Sequence, residues 1–466
     1  MMKTRATTNN RVLSSFRDPS GFLFHRDGLL YRQVNQGYAA DYEKLISSGL
    51  YESLTKSGRL VPHREVELVP EERTAAYKVI QPEVVRFISY PYEWSFSQLK
   101  EAALATLSIQ KRAIQRDMSL KDASAYNIQV HNGRMTLIDT LSFESYREGE
   151  PWVAYRQFCQ HFLAPLALMA WCDIRLGQLS RIHIDGVPLD LASRLLPRAT
   201  FLNPGLASHI HLHARAQRDF AQANVQEARR GRKLSREALL NILQSLKTTV
   251  QKLSWKPAGT EWAEYYSNTN YQDEAFRHKA ELVGSWLASL KPGLSWDLGA
   301  NNGYFSRIAA QGQGTYVVAA DIDPAAVEAN YLQCRKDKQQ NILPLVLDLT
   351  NPSPAIGWEN RERDAFLARG EPDAVLALAL IHHLAISNNL PLERIAAWLA
   401  VITKTLIIEF IPKTDSQVEK LLRNRPDIFP DYSREGFERA FTKHFRIEKC
   451  AAIHDSERIL FLLKRV

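Results

Sequence analysis

Cysteine is scarce in this chain. Of 466 residues four are cysteines, Cys159, Cys172, Cys334 and Cys450, and none sits in a Cys-x-x-Cys pair or beside histidine at zinc spacing. That scatter argues against both a disulfide framework and a structural zinc site, and it points to a reducing cytoplasm. Long apolar runs are missing too. The longest, Phe162 to Cys172, is broken by Pro165. It falls well short of the roughly 20 residues that cross a bilayer, and so reads as a buried helix. The first residues are basic but lead into no apolar core, which suits a frayed terminus rather than a leader.

What is present describes folded protein. Hydrophobic residues make up 45% and charged residues 24% of the chain, both within the globular range. The length calls for two or three domains at about 100 to 200 residues each. A net charge of +8 suits an anionic partner, nucleic acid among them.

The most informative stretch runs from Trp296 to Ser306. A short apolar approach carrying Asp297 leads into a turn flanked by Gly299 and Gly303, and a helical pattern through Phe305, Ile308 and Ala309 follows at once. Glycine there permits unusual backbone angles and close approach of a ligand, and the helix start offers unpaired N–H groups. From Leu294 onward continuous apolar strands alternate with helices, with strands at Leu294–Leu298, Tyr316–Ala320, Leu343–Leu347, Ala374–Leu380 and Thr405–Phe410 and a closing pair near Phe445–Cys450 and Ile459–Leu463. Continuous rather than alternating strands are buried on both faces, so the fold class is α/β, an open, doubly wound and mainly parallel sheet. Ligands of such sheets sit at the carboxyl ends of the strands. The residues there are the glycine turn, Asp321 with Ile322, Asp348 with Leu349, the pair His382 and His383, and Glu409. Asp321 is placed to accept hydrogen bonds from ribose hydroxyls.

These strand-end motifs, in this order, resemble the class I S-adenosylmethionine-dependent methyltransferases over about residues 260 to 466, with Asp297-Leu-Gly-Ala-Asn-Asn-Gly-Tyr-Phe-Ser as the first motif. The resemblance implies a Rossmann-like domain that binds S-adenosylmethionine. Asp297, Gly299, Ala300 and Asn301 would surround its methionine part with Gly303 closing the turn, Asp321 and Ile322 its ribose, and Asp348 with Leu349 its adenine. A dehydrogenase is the runner-up for the turn alone, but that fingerprint expects Gly-x-Gly-x-x-Gly and Asn301 stands at its second glycine. Methyl transfer needs a base only if the acceptor must lose a proton. His382 and His383 are the candidates, one facing the cleft and the other the interior, and Glu409 is a candidate to orient the acceptor. The motif after the fourth strand is not Asn-Pro-Pro-Tyr, which favours an oxygen acceptor over an exocyclic amine.

The amino-terminal part carries a second pattern. Asp122 precedes Asn127, a hairpin at His131-Asn-Gly133 intervenes, and Asp139 closes the next apolar strand. This resembles the core of the protein-kinase and aminoglycoside-phosphotransferase superfamily, and implies an α+β kinase-like lobe over residues 1–204. There Asp122 would orient an acceptor hydroxyl, while Asn127 and Asp139 hold magnesium on the phosphates of ATP. Lys121, Thr140 and Leu141 depart from that pattern, Gly21 stands alone where a glycine-rich loop is expected, and Arg32 is the nearest substitute for the strand lysine, with Glu43 as its prospective helix partner.

Between the two lies a stretch, 205–258, rich in Arg and Lys from Arg215 to Lys256, read as a basic helical connector ahead of a methyltransferase domain at 259–466. His209, His211 and His213 alternate as on one face of a strand. Without a nearby acid or cysteine they suit a polar face rather than a metal site. The expected protein is a cytoplasmic methyltransferase acting on an anionic or carbohydrate-type oxygen acceptor, such as a phosphorylated carbohydrate or a glycolipid. The alternatives are an RNA methyltransferase that uses the connector, a bifunctional kinase-methyltransferase similar to bacterial polysaccharide chain-terminating enzymes, and a non-catalytic scaffold that binds the cofactor.

Overall fold

The computed structural model describes residues 11–216, 234–257, 273–423 and 425–466. Arg218, Arg229, Arg230, Arg232 and Lys233 of the basic stretch, and the aromatic stretch from Trp262 to Tyr271, lie outside the described residues. The chain forms two compact units. The first comprises Met1–Tyr92, Gln98–Trp255 and Ala355–Asp364; the second comprises Glu93–Ser97, Lys256–Pro354 and Ala365–Val466. Among the described residues no helix is long and apolar enough to cross a membrane.

The first unit begins with strands β1 (Gly21–Arg26) and β2 (Leu29–Asn35). Asp27 and Gly28 join them, both at positive φ, which is the backbone a two-residue hairpin turn requires. Strands β3 (His63–Glu65) and β4 (Ala76–Pro82) complete an antiparallel sheet of order β1-β2-β4-β3. Two small ladders follow. Strand β5 (Met118–Leu120) pairs with β8 (Phe143–Ser145), and β6 (Ile128–His131) pairs with β7 (Arg134–Leu137). Phe158, Phe162, Leu166 and Met169 are buried, as their helical spacing predicts. The three histidines do not alternate on a strand. They lie on a helical stretch, 207–213, because the apolar partners Leu206 and Ile210 recur at helical rather than strand spacing. Among the described residues of the expected connector, the helix Arg236–Lys252 buries Leu239, Leu243, Leu246 and Val250, and belongs to the first unit.

The second unit is a seven-stranded sheet built from β9 (Leu294–Leu298), β10 (Tyr316–Asp321), β11 (Ile342–Val346), β12 (Ala374–Ala377), β13 (Thr405–Phe410), β14 (Phe445–Ala452) and β15 (Ile459–Arg465). Its order is β11-β10-β9-β12-β13-β15-β14. Strands β9 to β13 are parallel and β15 runs against both of its neighbours. The chain moves outward one way from β9 through β10 and β11, then returns to β12 on the other side. The crevice outside the ends of β9 and β12 is therefore the switch point where such sheets bind ligands. Trp296 is fully buried on β9 against Phe366.

Gly303 starts the helix Tyr304–Ala309 with φ of +78, and a Cβ there would stand 2.1 Å from Asn330 Oδ1. Gly303→Ala is expected to cost about 2–4 kcal/mol, combining left-handed backbone strain with overpacking, as a lowered urea midpoint with unchanged slope. The fourth strand is shorter than its apolar run suggests. It stops at Ala377, because Ala379 takes a φ of +49 and turns the chain out of the sheet.

Candidate cofactor cavity

A cavity of about 320 Å³ opens at the switch point. Asp297, Gly299, Ala300, Asn301, Asp321, Ile322, Asp348 and Leu349 all line it. Gly303 does not, since its contact is with Asn330 behind the turn. Apolar walls come from Phe276, Phe305, Leu347, Leu378 and Leu380, and polar edges from Thr350, Ser387 and Asn388.

The carboxylates are fixed by the loops they end. Asp321 accepts the Asn301 N–H at 2.8 Å and the Asp323 N–H at 2.9 Å, which ties the first two strand-end loops together. Asp297 accepts the Ser306 hydroxyl at 2.6 Å. Burial pushes both carboxyls up to about 6, with the neighbouring charge of Asp321 adding to the effect at Asp297. Part of Asp321's surface opens on the cavity. Even so, its carboxyl oxygens are shielded enough from water for burial to dominate. Asp348 accepts the N–H and hydroxyl of Thr350 at 2.8 and 2.6 Å.

The histidine pair divides as its sequence position allows. His383 lines the cavity at the start of the wide helical turn His383–Ser387. His382 is fully buried, and among the described residues neither ring nitrogen has a hydrogen-bond partner. Burial, with the charge of Arg458 adding, pulls His383 down to about 4, so its imidazole is neutral at pH 7 and is an acceptor rather than a strong base.

Glu409 is not on the cavity wall. It is fully buried, accepts the Ala379 N–H at 2.8 Å and pairs with Lys279 at 2.5 Å. Lys279 does line the cavity and was missed from sequence. The available signal was a lone lysine in the apolar stripe Phe276, Val283, Trp286, Leu287 of the helix Asp273–Leu290.

In the first unit Asp122, Asn127 and Asp139 come together. Asp122 accepts the Ser124 N–H at 2.9 Å and Gln157 Nε2 at 2.8 Å, and Asn127 also reaches it. Burial raises its pKa, the charge of Asp139 adding to the rise. Asp139 accepts the Leu141 N–H and the Ser142 hydroxyl and pairs with Arg32 at 2.5 Å. Glu43 is not the partner of Arg32; it pairs with Lys78 on β4 at 3.0 Å and accepts the Tyr77 hydroxyl, because β4 rather than β2 presents a cation to that helix. His209 bonds Tyr155 and Ser245, and His211 bonds Ser193 and Thr200. Among the described residues no three His, Cys, Asp or Glu side chains form a cluster that could hold a metal.

Fold and site together define a two-unit protein whose larger sheet is a doubly wound, mixed α/β sheet with an acid-lined ligand cavity at its switch point. No family model matches the chain. The nodulation protein NoeA of Rhizobium meliloti (strain 1021) is 36% identical over 460 residues, covering 98% of this chain and 96% of that protein, and the chain belongs to the NoeA family. Among solved structures, the bifunctional kinase-methyltransferase WbdD is 17% identical over 43% of this chain and 41% of its own, with a TM-score of 0.30. Magnesium protoporphyrin IX methyltransferase (ChlM) from Synechocystis PCC 6803 with bound SAM is 16% identical over 45% of this chain and 100% of its own, also with a TM-score of 0.30. At such TM-scores these likenesses carry no argument.

Proposed function

We propose that the second unit binds S-adenosylmethionine and transfers its methyl group to an oxygen acceptor. What carries the reading is the cavity itself: of the residues assigned to the cofactor from the motif resemblance, all but Gly303 line it. A cationic ligand suits the three carboxylates of Asp297, Asp321 and Asp348, while apolar walls suit an adenine and a thioether. Against a dinucleotide, the sheet departs from the usual order 3-2-1-4-5-6 by an antiparallel strand inserted before its edge.

The cofactor supplies an electrophilic methyl group on a sulfonium. An acceptor hydroxyl held against it would form an O–C bond as the S–C bond breaks with its electron pair staying on sulfur, and its proton would pass by way of neutral His383 to solvent. The protein contributes position and exclusion of water. Neutral His383 would accept a hydrogen bond from the acceptor hydroxyl and aim its lone pair. Because the carboxylates face the same cavity and Lys279 is tied to Glu409, a neutral hydroxyl such as that of a carbohydrate is favoured over a phosphorylated acceptor. NoeA is by name a nodulation protein, and we carry nodulation over to this chain as the setting of the product.

The test is incubation of labelled S-adenosylmethionine with an extract fractionated into RNA, protein, glycan and small molecules. Label in the glycan fraction supports the reading, label in RNA moves it to nucleic acid, and no transfer with no calorimetric binding of the cofactor defeats it. His383→Ala is expected to leave cofactor affinity within about threefold and to lower turnover about 10²- to 10⁴-fold, the range of a positioned proton acceptor, measured on the labelled acceptor.

Affinity for the cofactor should also fall in acid. With Asp297 and Asp321 titrating at about 6, it is expected to be flat above pH 7. Below pH 6 it should drop by about tenfold per unit for each carboxyl that must be ionised. The empty protein should respond in the opposite sense. Raised carboxyl pKa values mean that the native state holds more protons than the unfolded chain between about 4 and 6. These two groups therefore add stability as pH falls through that window, and lose it as pH rises. Calorimetry and urea unfolding from pH 5 to 8 separate the two trends.

A second reading, magnesium-dependent nucleotide binding by the first unit, is favoured by the convergence of Asp122, Asn127 and Asp139. A divalent cation on Asp139 would first have to displace Arg32.

A further inference from the structure

The strand-end turn that presents His383 contains an energetic oddity. Ala379 sits at φ +49, a left-handed conformation that costs an alanine its ordinary backbone preference. Two residues before it strand β12 ends, and the Leu380 carbonyl accepts the His383 N–H at 3.0 Å to open the helical turn. The kink at Ala379 therefore sets the direction in which His383 leaves the sheet. The same turn packs Leu380 against Gly299, where an added Cβ would meet the leucine side chain at 3.3 Å.

Something must hold a strained turn closed. The Ala379 N–H donates at 2.8 Å to Oε2 of Glu409, a side chain near the carboxyl end of β13. That same oxygen accepts from Lys279 Nζ at 2.5 Å, and Arg458 stands 3.5 Å from the other carboxylate oxygen. Lys279, Glu409 and Arg458 all have 5% or less of their side-chain surface exposed. A carboxylate is a stronger acceptor for a backbone N–H than a neutral group. It persists in a dry interior only when paired, and here the pairing comes from a helix that precedes the whole sheet.

Resting on the cofactor reading of this cavity, we propose that Glu409 and Lys279 are positioning residues: Glu409 clamps the Ala379 turn through its N–H so that His383 and Leu380 face the cavity, and Lys279, bonded to the same carboxylate oxygen, holds Glu409 in place for that bond. Glu409 then acts on the acceptor only through His383. Lys279 is thereby spent on the clamp rather than on an anionic ligand.

The experiment compares two double variants that both remove the buried charges and differ in one acceptor. Lys279→Met with Glu409→Gln keeps an oxygen for the Ala379 N–H, whereas Lys279→Met with Glu409→Met removes it; Arg458 remains paired with Asp415 in both. Hydrogen exchange of the peptide spanning 378–384, in cofactor-free protein, is expected to stay within threefold of native in the first and to rise at least tenfold in the second. Strand β9 should exchange alike in both. The ring resonances of His383 should shift in the second variant only, and calorimetry with S-adenosylmethionine should show it binding at least tenfold more weakly than the first. Equal exchange in the two variants overturns the clamp. Different exchange with an unmoved His383 resonance overturns its positioning role. If the native protein binds no S-adenosylmethionine while exchange and the His383 resonance still separate the variants, the clamp stands and the cofactor reading falls. Should the second variant not fold, native-state exchange decides: an Ala379 amide as protected as those of β13 supports the clamp, and one exchanging like an open loop overturns it.

Discussion

Replacing Asp321 with alanine is expected to weaken S-adenosylmethionine binding at least about 100-fold, or about 2.7 kcal/mol, while the sheet stays folded. The carboxylate stands at the end of β10 and holds the Asn301 and Asp323 N–H groups at once. Its loss would remove hydrogen bonds to a charged group, worth about 1.5–3 kcal/mol each, and would also let the glycine turn drift from the loop opposite. Asp321→Asn keeps one acceptor oxygen and should fall between alanine and native. Calorimetry at pH 7.5, above the titration of both carboxyls, reads the affinities. An alanine variant that binds within threefold of native would take the cofactor out of this cavity.

Lys279→Met alone should be among the most damaging single changes in the second unit. It removes the nearest cation from the Glu409 carboxylate, which has no exposed surface, and leaves Arg458 at 3.5 Å as a more distant one. Breaking a buried pair from one side costs about 3–5 kcal/mol, whereas replacing both partners is often close to neutral. Urea unfolding should show that loss for the single variant and its recovery when Glu409→Gln is added. A single variant within about 1 kcal/mol of native would mean that the buried pair contributes no such charge balance.

The parts of the molecule that could be read from sequence are those where one physical signal dominates. Strands β9 to β13 are buried on both faces, so their apolar runs are continuous and their ends predict the loops at the cavity. Asp297, Asp321 and Asp348 followed from that, as did the histidine pair. Glu409 was legible as a strand-end acid, but its direction was not. Side chains alternate across a strand, and whether position 409 faces the cavity or the interior depends on where Lys279 arrives from a helix 130 residues earlier. Ala379 was invisible because a left-handed alanine leaves no composition mark, and the apolar run through Leu380 concealed the early end of β12. In the first unit the hairpins were announced by Asp27-Gly28 and Asn132-Gly133. The alternating histidines misled because period two over so short a stretch cannot outweigh the helical spacing of Leu206 and Ile210.

The interleaved path of the chain has a bearing on where it can be cut. Residues 93–97 belong to the second unit although the bulk of that unit begins at 256. Glu93, 1% exposed, accepts Arg369 Nη1 at 2.7 Å and the Ser353 hydroxyl, and Glu328 holds the N–H of Ser97. A gene fragment encoding only the later residues would therefore leave the Arg369 guanidinium stranded in the interior. No single cut in the chain therefore separates the two units, because the second takes up residues 93–97 before its main part begins at 256.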